Sequence, residues 1–293
     1  MVQPSRARSG QPALIVLLKA CGEVNVSELP NTGSSPDLSM ARSAALVTGG
    51  AKRIGRAICL HLSEKGYSVA IHHNSSKRDA ETLVEEIRAA GGSACAIAAD
   101  LTKPDEVASL MISAADSLGP ITGLVNNASR FEHDDISTID IKSWDSHMDV
   151  NARAPMLLIR ALLEQLPNDA QASVINILDQ KISEPNPDHL SYTASRYALL
   201  GLTDALARGL APAVRVNAVA PGHTLPSDDQ SADGFERAQA QSPLGYGPAP
   251  ADIADAVGFL MGARAVTGQV LFVDSGERFL ARSRDVLFET ERL

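Results

Sequence analysis

The chain has 293 residues, 44% hydrophobic, 21% charged and only 4% aromatic, a length that holds one large α/β domain plus an extension. A net charge of −9 and an isoelectric point near 5.3 argue against nonspecific binding to nucleic acid or to a membrane surface.

Residues 1–41 differ from the rest. Pro4, Pro12, Pro30 and Pro36 are spread through them, and Asn31-Thr32-Gly33-Ser34-Ser35-Pro36 reads as a linker. The apolar run 13–18 is far too short to span a bilayer, and Lys19 interrupts it where a secretory or lipoprotein signal needs continuity. The segment therefore reads either as a disordered extension or as residues preceding a translation start at Met40. The domain itself is expected over 42–293.

The first element is the run 44–47, which fits a buried parallel strand. It stops at Thr48-Gly49-Gly50-Ala51-Lys52-Arg53-Ile54-Gly55, a glycine-bearing turn that opens a helix ended by Gly66. A strand over 67–72 follows. Strand, turn, helix and strand within about thirty residues is the context a dinucleotide turn requires. Its glycines let phosphate approach main-chain N–H groups at a helix N-terminus.

The alternation continues with a helix over 79–90, a strand over 93–99 ending at Asp100, and a helix opened by Pro104-Asp105-Glu106 and closed by Gly119. A strand over 121–125 runs into Asn126-Asn127-Ala128-Ser129. One long helix is predicted over 143–166, a strand over 173–178, a helix over 191–210, a strand over 215–219, a helix over 251–262 and a last strand over 269–273. This pattern predicts a single α/β domain, a doubly wound parallel sheet of the Rossmann kind with helices on both faces. Cys21, Cys59 and Cys95 lack metal or disulfide spacing. Cys59 and Cys95 lie in apolar runs, as buried thiols of a reducing, cytoplasmic compartment do.

From about residue 43 to 280 the chain resembles the short-chain dehydrogenase/reductase family. The marks are Thr48-Gly49 with Gly55, Asp100, Asn126-Asn127-Ala128, Asn151, Tyr192 with its i+4 partner Arg196, and Pro221-Gly222. Within it the chain looks most like the pteridine reductase branch. Lys52 and Arg53 stand in the turn where small residues and a middle glycine are usual. Asn126 to Phe131 reads Asn-Asn-Ala-Ser-Arg-Phe, and Asp179 occupies the place of the usual catalytic Ser.

NADP(H) is the cofactor expected. An NAD-selecting site wants an acid at the end of the second strand, and that position reads His73-Asn74-Ser75-Ser76. Lys52 and Arg53 suit a 2′-phosphate, aided by hydrogen bonds from Asn74, Ser75 and Ser76. The resemblance implies that Thr48, Gly49, Ile54 and Gly55 hold the cofactor, with Asp100, Leu101, Asn126, Ala128, Tyr192, Arg196, Pro221 and Gly222. Asp100 reads equally as a cap for the following turn.

The resemblance also makes Tyr192 the proton donor, Asn151 the holder of a relay water, and Ser129, Phe131, Asp179 and Leu225 the substrate contacts. A carboxyl at 179 suits the N–H edge of a nitrogen heterocycle and protonation of an imine-like nitrogen; an exposed Asp paired to Lys181 is the alternative. Phe131 reads as a stacking platform or as a rim residue. Arg196 replaces the family Lys. It keeps the charge, expected to lower the Tyr192 pKa, but Arg does not give up a proton.

Three functions follow: an NADPH-dependent pterin or dihydrofolate-type reductase, a general carbonyl reductase or alcohol dehydrogenase, and an NADP-binding protein with weak catalysis owing to Arg196. Residues 223–241 are expected to form a mobile substrate cover and the tail 276–293 to pack on a partner subunit. A small-molecule substrate and a homo-oligomer, a tetramer as in relatives, complete the expectation, with no nucleic acid, membrane or metal.

Overall fold

Side chains alternate along a strand, so a strand buried on both faces must be apolar throughout. The first strand shows this: Ala44 and Leu46 enter one hydrophobic cluster, Ala45 and Val47 the other. A computed structural model describes residues 43–227 and 230–291. The expectations for 1–41, Cys21 and the Asp228-Asp229 pair lie outside the described residues.

Seven strands pair in parallel in the order β3-β2-β1-β4-β5-β6-β7. They are β1 Ala44–Val47, β2 Ser68–His73, β3 Ala94–Ala98, β4 Ile121–Asn126, β5 Ala172–Ile177, β6 Val214–Pro221 and β7 Val270–Val273. The helices are α1 Arg53–Glu64, α2 Lys77–Ala89, α3 Pro104–Leu118, α4 Ile141–Met148, α5 Ala154–Gln165, α6 Leu190–Gly209, α7 Ala232–Ala240, α8 Pro250–Gly262 and α9 Val286–Thr290. From α1, α2 and α8, residues Ile58, Leu62, Leu83, Ile87, Val257 and Leu260 pack on one sheet face. From α3, α5 and α6, residues Leu110, Met111, Leu158, Leu162 and Ala207 pack on the other. Each such Leu or Ile contributes about 1.5–3 kcal/mol by leaving water. The predicted fold is observed, with the strand order reversing beside β1. A crevice opens there at the carboxyl ends of the strands.

One local expectation is corrected and two segments gain detail. The single helix over 143–166 is instead α4 and α5 joined by a π-helical turn at Asp149–Arg153. Pro155 explains it: proline has no N–H for the carbonyl of Asn151, and its ring displaces that carbonyl. The wider turn buries Asn151, and such bulges gather at functional sites. The cover over 223–241 contains a regular helix, α7, whose N-cap Ser231 accepts from Gly234 N–H. The tail folds back on its own chain. Arg284 Nε donates to both oxygens of Asp188 at 3.0 and 2.8 Å, Asp285 N–H donates to the same carboxylate, and Arg237 donates to the carbonyl of Thr290.

Candidate active site

The glycine turn is held by side chains on three strands. Thr48 Oγ1 accepts the N–H groups of Asn127 and Ala128 at 2.9 and 3.0 Å. Asn127 Nδ2 donates to the carbonyls of Thr48 and Gly49. Gly49 has φ +60, a left-handed conformation that suits glycine. At Gly55 a Cβ would lie 2.2 Å from the Gly49 carbonyl oxygen. His72 at the end of β2 accepts the Gly49 N–H on Nδ1 at 3.0 Å, while its Nε2 faces the Ala99 carbonyl at 3.0 Å. This fixes a neutral tautomer with Nε2 as donor. Burial lowers its pKa to about 4, against the hydrogen bond to Ala99.

Beside the turn, a second cavity of about 390 Å³ is lined by Lys52, Arg53, Arg56 and Arg78, with Asp79. Lys52 pairs with Asp79 at 3.0 Å, and Arg53 donates to the Pro226 carbonyl at 2.9 Å. Asn74, Ser75 and Ser76 do not line this cavity, whereas Arg56, paired with Glu86, and Arg78 do. Asp100 caps the turn after β3, accepting from Thr102 N–H and Oγ1 at 3.0 and 2.8 Å, and these bonds lower its pKa. Leu101 is buried. Asn126 turns into the core, its Nδ2 donating to Asn176, whose Nδ2 donates to Thr203. Ile54 and Asn127, rather than Asn126 or Ala128, reach the main cavity.

That cavity, about 1150 Å³, lies at the ends of β5 and β6 and is lined by Asp179, Tyr192, Arg196, Ser129, Phe131, Pro221, Gly222 and Leu225. Tyr192 is 5% exposed, and its hydroxyl donates to Asp179 Oδ2 at 2.7 Å. Asp179 Oδ1 accepts the Lys181 N–H at 2.8 Å. Asp179 is thus a wall residue, and the Lys181 ammonium, instead of pairing with it, donates to the Asp188 carbonyl and pairs with Asp285. Phe131 meets Tyr192 edge-on at 4.7 Å and stacks on His189 at 4.2 Å. The start of α6 is pinned by Asp134, which accepts from Ser191 N–H at 3.0 Å and from Ser143 Oγ at 3.1 Å.

The Arg196 guanidinium lies 4.9 Å from the Tyr192 ring centroid. Nη1 donates to the Ile177 carbonyl at 3.1 Å, Nη2 donates to Ser129 Oγ, and Nε has no partner. The expected lowering of the Tyr192 pKa is outweighed. Burial pushes the phenol up, Arg196 pulls it down and Asp179 pushes it up again, leaving it well above its ordinary value. Tyr192 is therefore a fully protonated donor at neutral pH. Asn151 is bound on both sides of its amide. Its Oδ1 accepts the Arg130 N–H, and its Nδ2 faces the Arg130 carbonyl and Ser195 Oγ, each at 2.8–2.9 Å. These bonds fix the loop that carries Ser129, and Asn151 is not in the cavity wall.

The family description "short chain dehydrogenase" matches residues 43–233. The chain belongs to the short-chain dehydrogenase family. It is 34% identical over 244 residues to the 3-oxoacyl-[acyl-carrier-protein] reductase FabG of Staphylococcus aureus, covering 82% of this chain and 99% of that one. Among solved structures, FolM alternative dihydrofolate reductase 1 from Brucella canis, complexed with NADP, aligns with a TM-score of 0.80 and 40% identity. The alignment covers 84% of this chain and 97% of the FolM chain. A blue fluorescent protein from a metagenomic library, in complex with NADPH, aligns with a TM-score of 0.72 and 34% identity, over 80% and 97% of the two chains. The FolM likeness agrees with the resemblance to the pteridine reductase branch. This short-chain dehydrogenase carries no His, Cys, Asp or Glu group able to hold a metal ion among its described residues. None of its described helices is long and apolar enough to cross a membrane.

Proposed function

We propose that this chain is an NADPH-dependent reductase of a flat nitrogen heterocycle of the pterin or dihydrofolate type. The observation that carries the reading is the Tyr192 hydroxyl donating to Asp179 Oδ2 at 2.7 Å in the cavity wall. A ketone oxygen needs only hydroxyl donors, whereas a carboxylate beside the acid suits a ring N–H. Phe131, 44% exposed at the rim, offers that ring a face.

The residues fit an NADP molecule. The Gly49–Gly55 approach leaves no room for a side chain in the turn, and Lys52, Arg53, Arg56 and Arg78 gather beside it with no acid at the end of β2. Arg196, whose Nε has no partner, lines the main cavity. Thr48, Gly49, Ile54 and Gly55 would hold the cofactor, with Pro221 and Gly222 shaping the wall. NADPH, when bound, supplies the hydride. Tyr192 supplies the proton to the ring nitrogen as the adjacent carbon takes the hydride, so a C=N bond becomes CH–NH. The Arg196 charge over the ring stabilises the phenolate left behind, which regains its proton from solvent. Ser129 ties that guanidinium to the Arg130 loop. Ile112, Ile141, Met156 and Leu163 are large apolar residues left exposed on α3, α4 and α5. They support the homo-oligomer included in this reading, which light scattering tests.

A second reading, reduction of a 3-oxoacyl or other carbonyl compound, is favoured by the likeness to FabG. NADPH oxidation measured with dihydrobiopterin, dihydrofolate, an acetoacetyl thioester and a ketone panel separates the two. Fast turnover of the heterocycles supports the proposal, and turnover of the thioester alone supports the second reading. Tight NADPH binding without turnover would mean that Arg196 has left a binding protein.

A further inference from the structure

Among the carboxyl side chains that line the cavity, Glu277 is the buried one, and no motif marks it. Glu277 opens the short turn Glu277–Phe279 after β7 and follows Gly276 at φ 84. It is only 3% exposed and lines the cavity. Its Oε2 accepts the His223 N–H at 2.8 Å, and no described residue donates to Oε1. Gly222 makes room for it: a Cβ there would lie 2.9 Å from Glu277 Oε2 and 2.7 Å from Asp274 Cα. Oε1 is not one of the fully enclosed polar atoms, so a donor in the cavity can reach it.

Arg282, in the tail, lines the same cavity with its side chain 10% exposed. Its Nη1 donates to Gln241 Oε1 at 2.7 Å and to Glu289, while Nε and Nη2 are buried without partners. The Arg282 charge pulls the Glu277 pKa down, but the two form no ion pair. This part of the wall therefore carries an acceptor oxygen that no described residue fills and, buried beside the cavity, N–H donors without an acceptor.

We propose that Glu277 is a specificity residue whose Oε1 accepts an amino N–H of the substrate ring, with Arg282 donating to a neighbouring ring acceptor. An amino-oxo pyrimidine edge has that donor and acceptor side by side; a simple ketone has neither donor. The inference rests on the heterocycle reading above. It also implies a pH dependence. Burial raises the Glu277 carboxyl to about 7. The His223 N–H and Arg282 from the tail oppose this, and Asp179 after β5 and Asp274 after β7 add to it. The ionised acceptor is present above about 7 and lost below it.

The test compares kcat/KM of the full chain for dihydropterin and for its analogue lacking the 2-amino group, using NADPH oxidation. The wild type is expected to favour dihydropterin, and Glu277→Gln to shrink that preference by about tenfold or more, as for loss of a charged hydrogen bond. An unchanged preference in a Glu277→Gln protein that still binds NADPH overturns this inference and leaves the heterocycle reading standing. A wild type that reduces neither heterocycle overturns both. If Glu277→Gln does not bind NADPH, the wild-type preference decides between about pH 6 and pH 8. A preference that falls on acidification supports the assignment, and one independent of pH overturns it.

Discussion

The two walls of the cavity are built in different ways. On the glycine-turn wall, side chains serve to fix backbone: Thr48 accepts the Asn127 and Ala128 N–H groups, His72 accepts the Gly49 N–H, and Asn127, which also reaches the cavity, donates to the turn's carbonyls. On the wall made after β6 and β7, side chains face inward: His223, Leu225, Glu277, Arg282 and the apolar Leu287 and Phe288 of α9. A wall of backbone suits a ligand shared across a family, since every residue type offers the same N–H and carbonyl groups. A wall of side chains suits whatever this chain alone must choose. Tyr192 and Asp179 stand between the two.

Substitution at that seam should have the largest effect. Tyr192→Phe is expected to lower kcat by about 10²–10⁴, the worth of a positioned acid, while fluorescence titration still shows NADPH binding. Loss of both would mean that the hydroxyl is structural. On the backbone wall, Gly55→Ala is expected to destabilise the fold by about 1–3 kcal/mol through overpacking and to weaken NADPH binding. Gly201→Ala, in α6 with nothing within 4 Å of the added Cβ, is expected to stabilise by about 0.5–1 kcal/mol. Paired melting curves check both, and equal shifts would show that the close approach at Gly55 is not confining.

The same wall is expected to be acid-sensitive through His72. Its folded pKa of about 4 lies below the ordinary 6.5, so the unfolded chain takes up a proton between those values. Its contribution is fully present above about 6.5 and is lost as pH falls through about 4. Denaturant melts of the wild type and His72→Asn across that range check it; the variant should lose part of the slope.

The fold was legible because strand apolarity and glycine punctuation repeat along the chain, and the reactive pair was legible because Tyr192 and Arg196 sit one helical turn apart. The π turn was missed although Pro155 signals it, since a proline near a helix start usually causes no break. Two adjacent Asn residues do not reveal that Asn126 ends the strand in the core while Asn127 reaches the cavity. His72, Arg56 and Arg78 become site residues only when β2 and α2 pack beside the turn. Glu277 and Arg282 carried no signal, because only the return of the tail over β7 brings them to the cavity.

A smaller effect is expected at Arg196. Lys there would allow proton transfer that a guanidinium does not, at the expense of the ties to Ile177 and Ser129. Arg196→Lys is expected to raise kcat severalfold in NADPH oxidation, and an unchanged or lower value would mean that the guanidinium's ties matter more than its proton.

The most direct measurement is the ratio of kcat/KM for dihydropterin to that for an acetoacetyl thioester, in the wild type and in Asp179→Ser. A carboxylate that bonds the Tyr192 hydroxyl and receives a ring N–H should give a ratio above one in the wild type, moving toward the thioester by about tenfold or more in the variant. A ratio that does not move when the carboxylate is removed would contradict the assignment of Asp179, and with it the nitrogen-heterocycle reading.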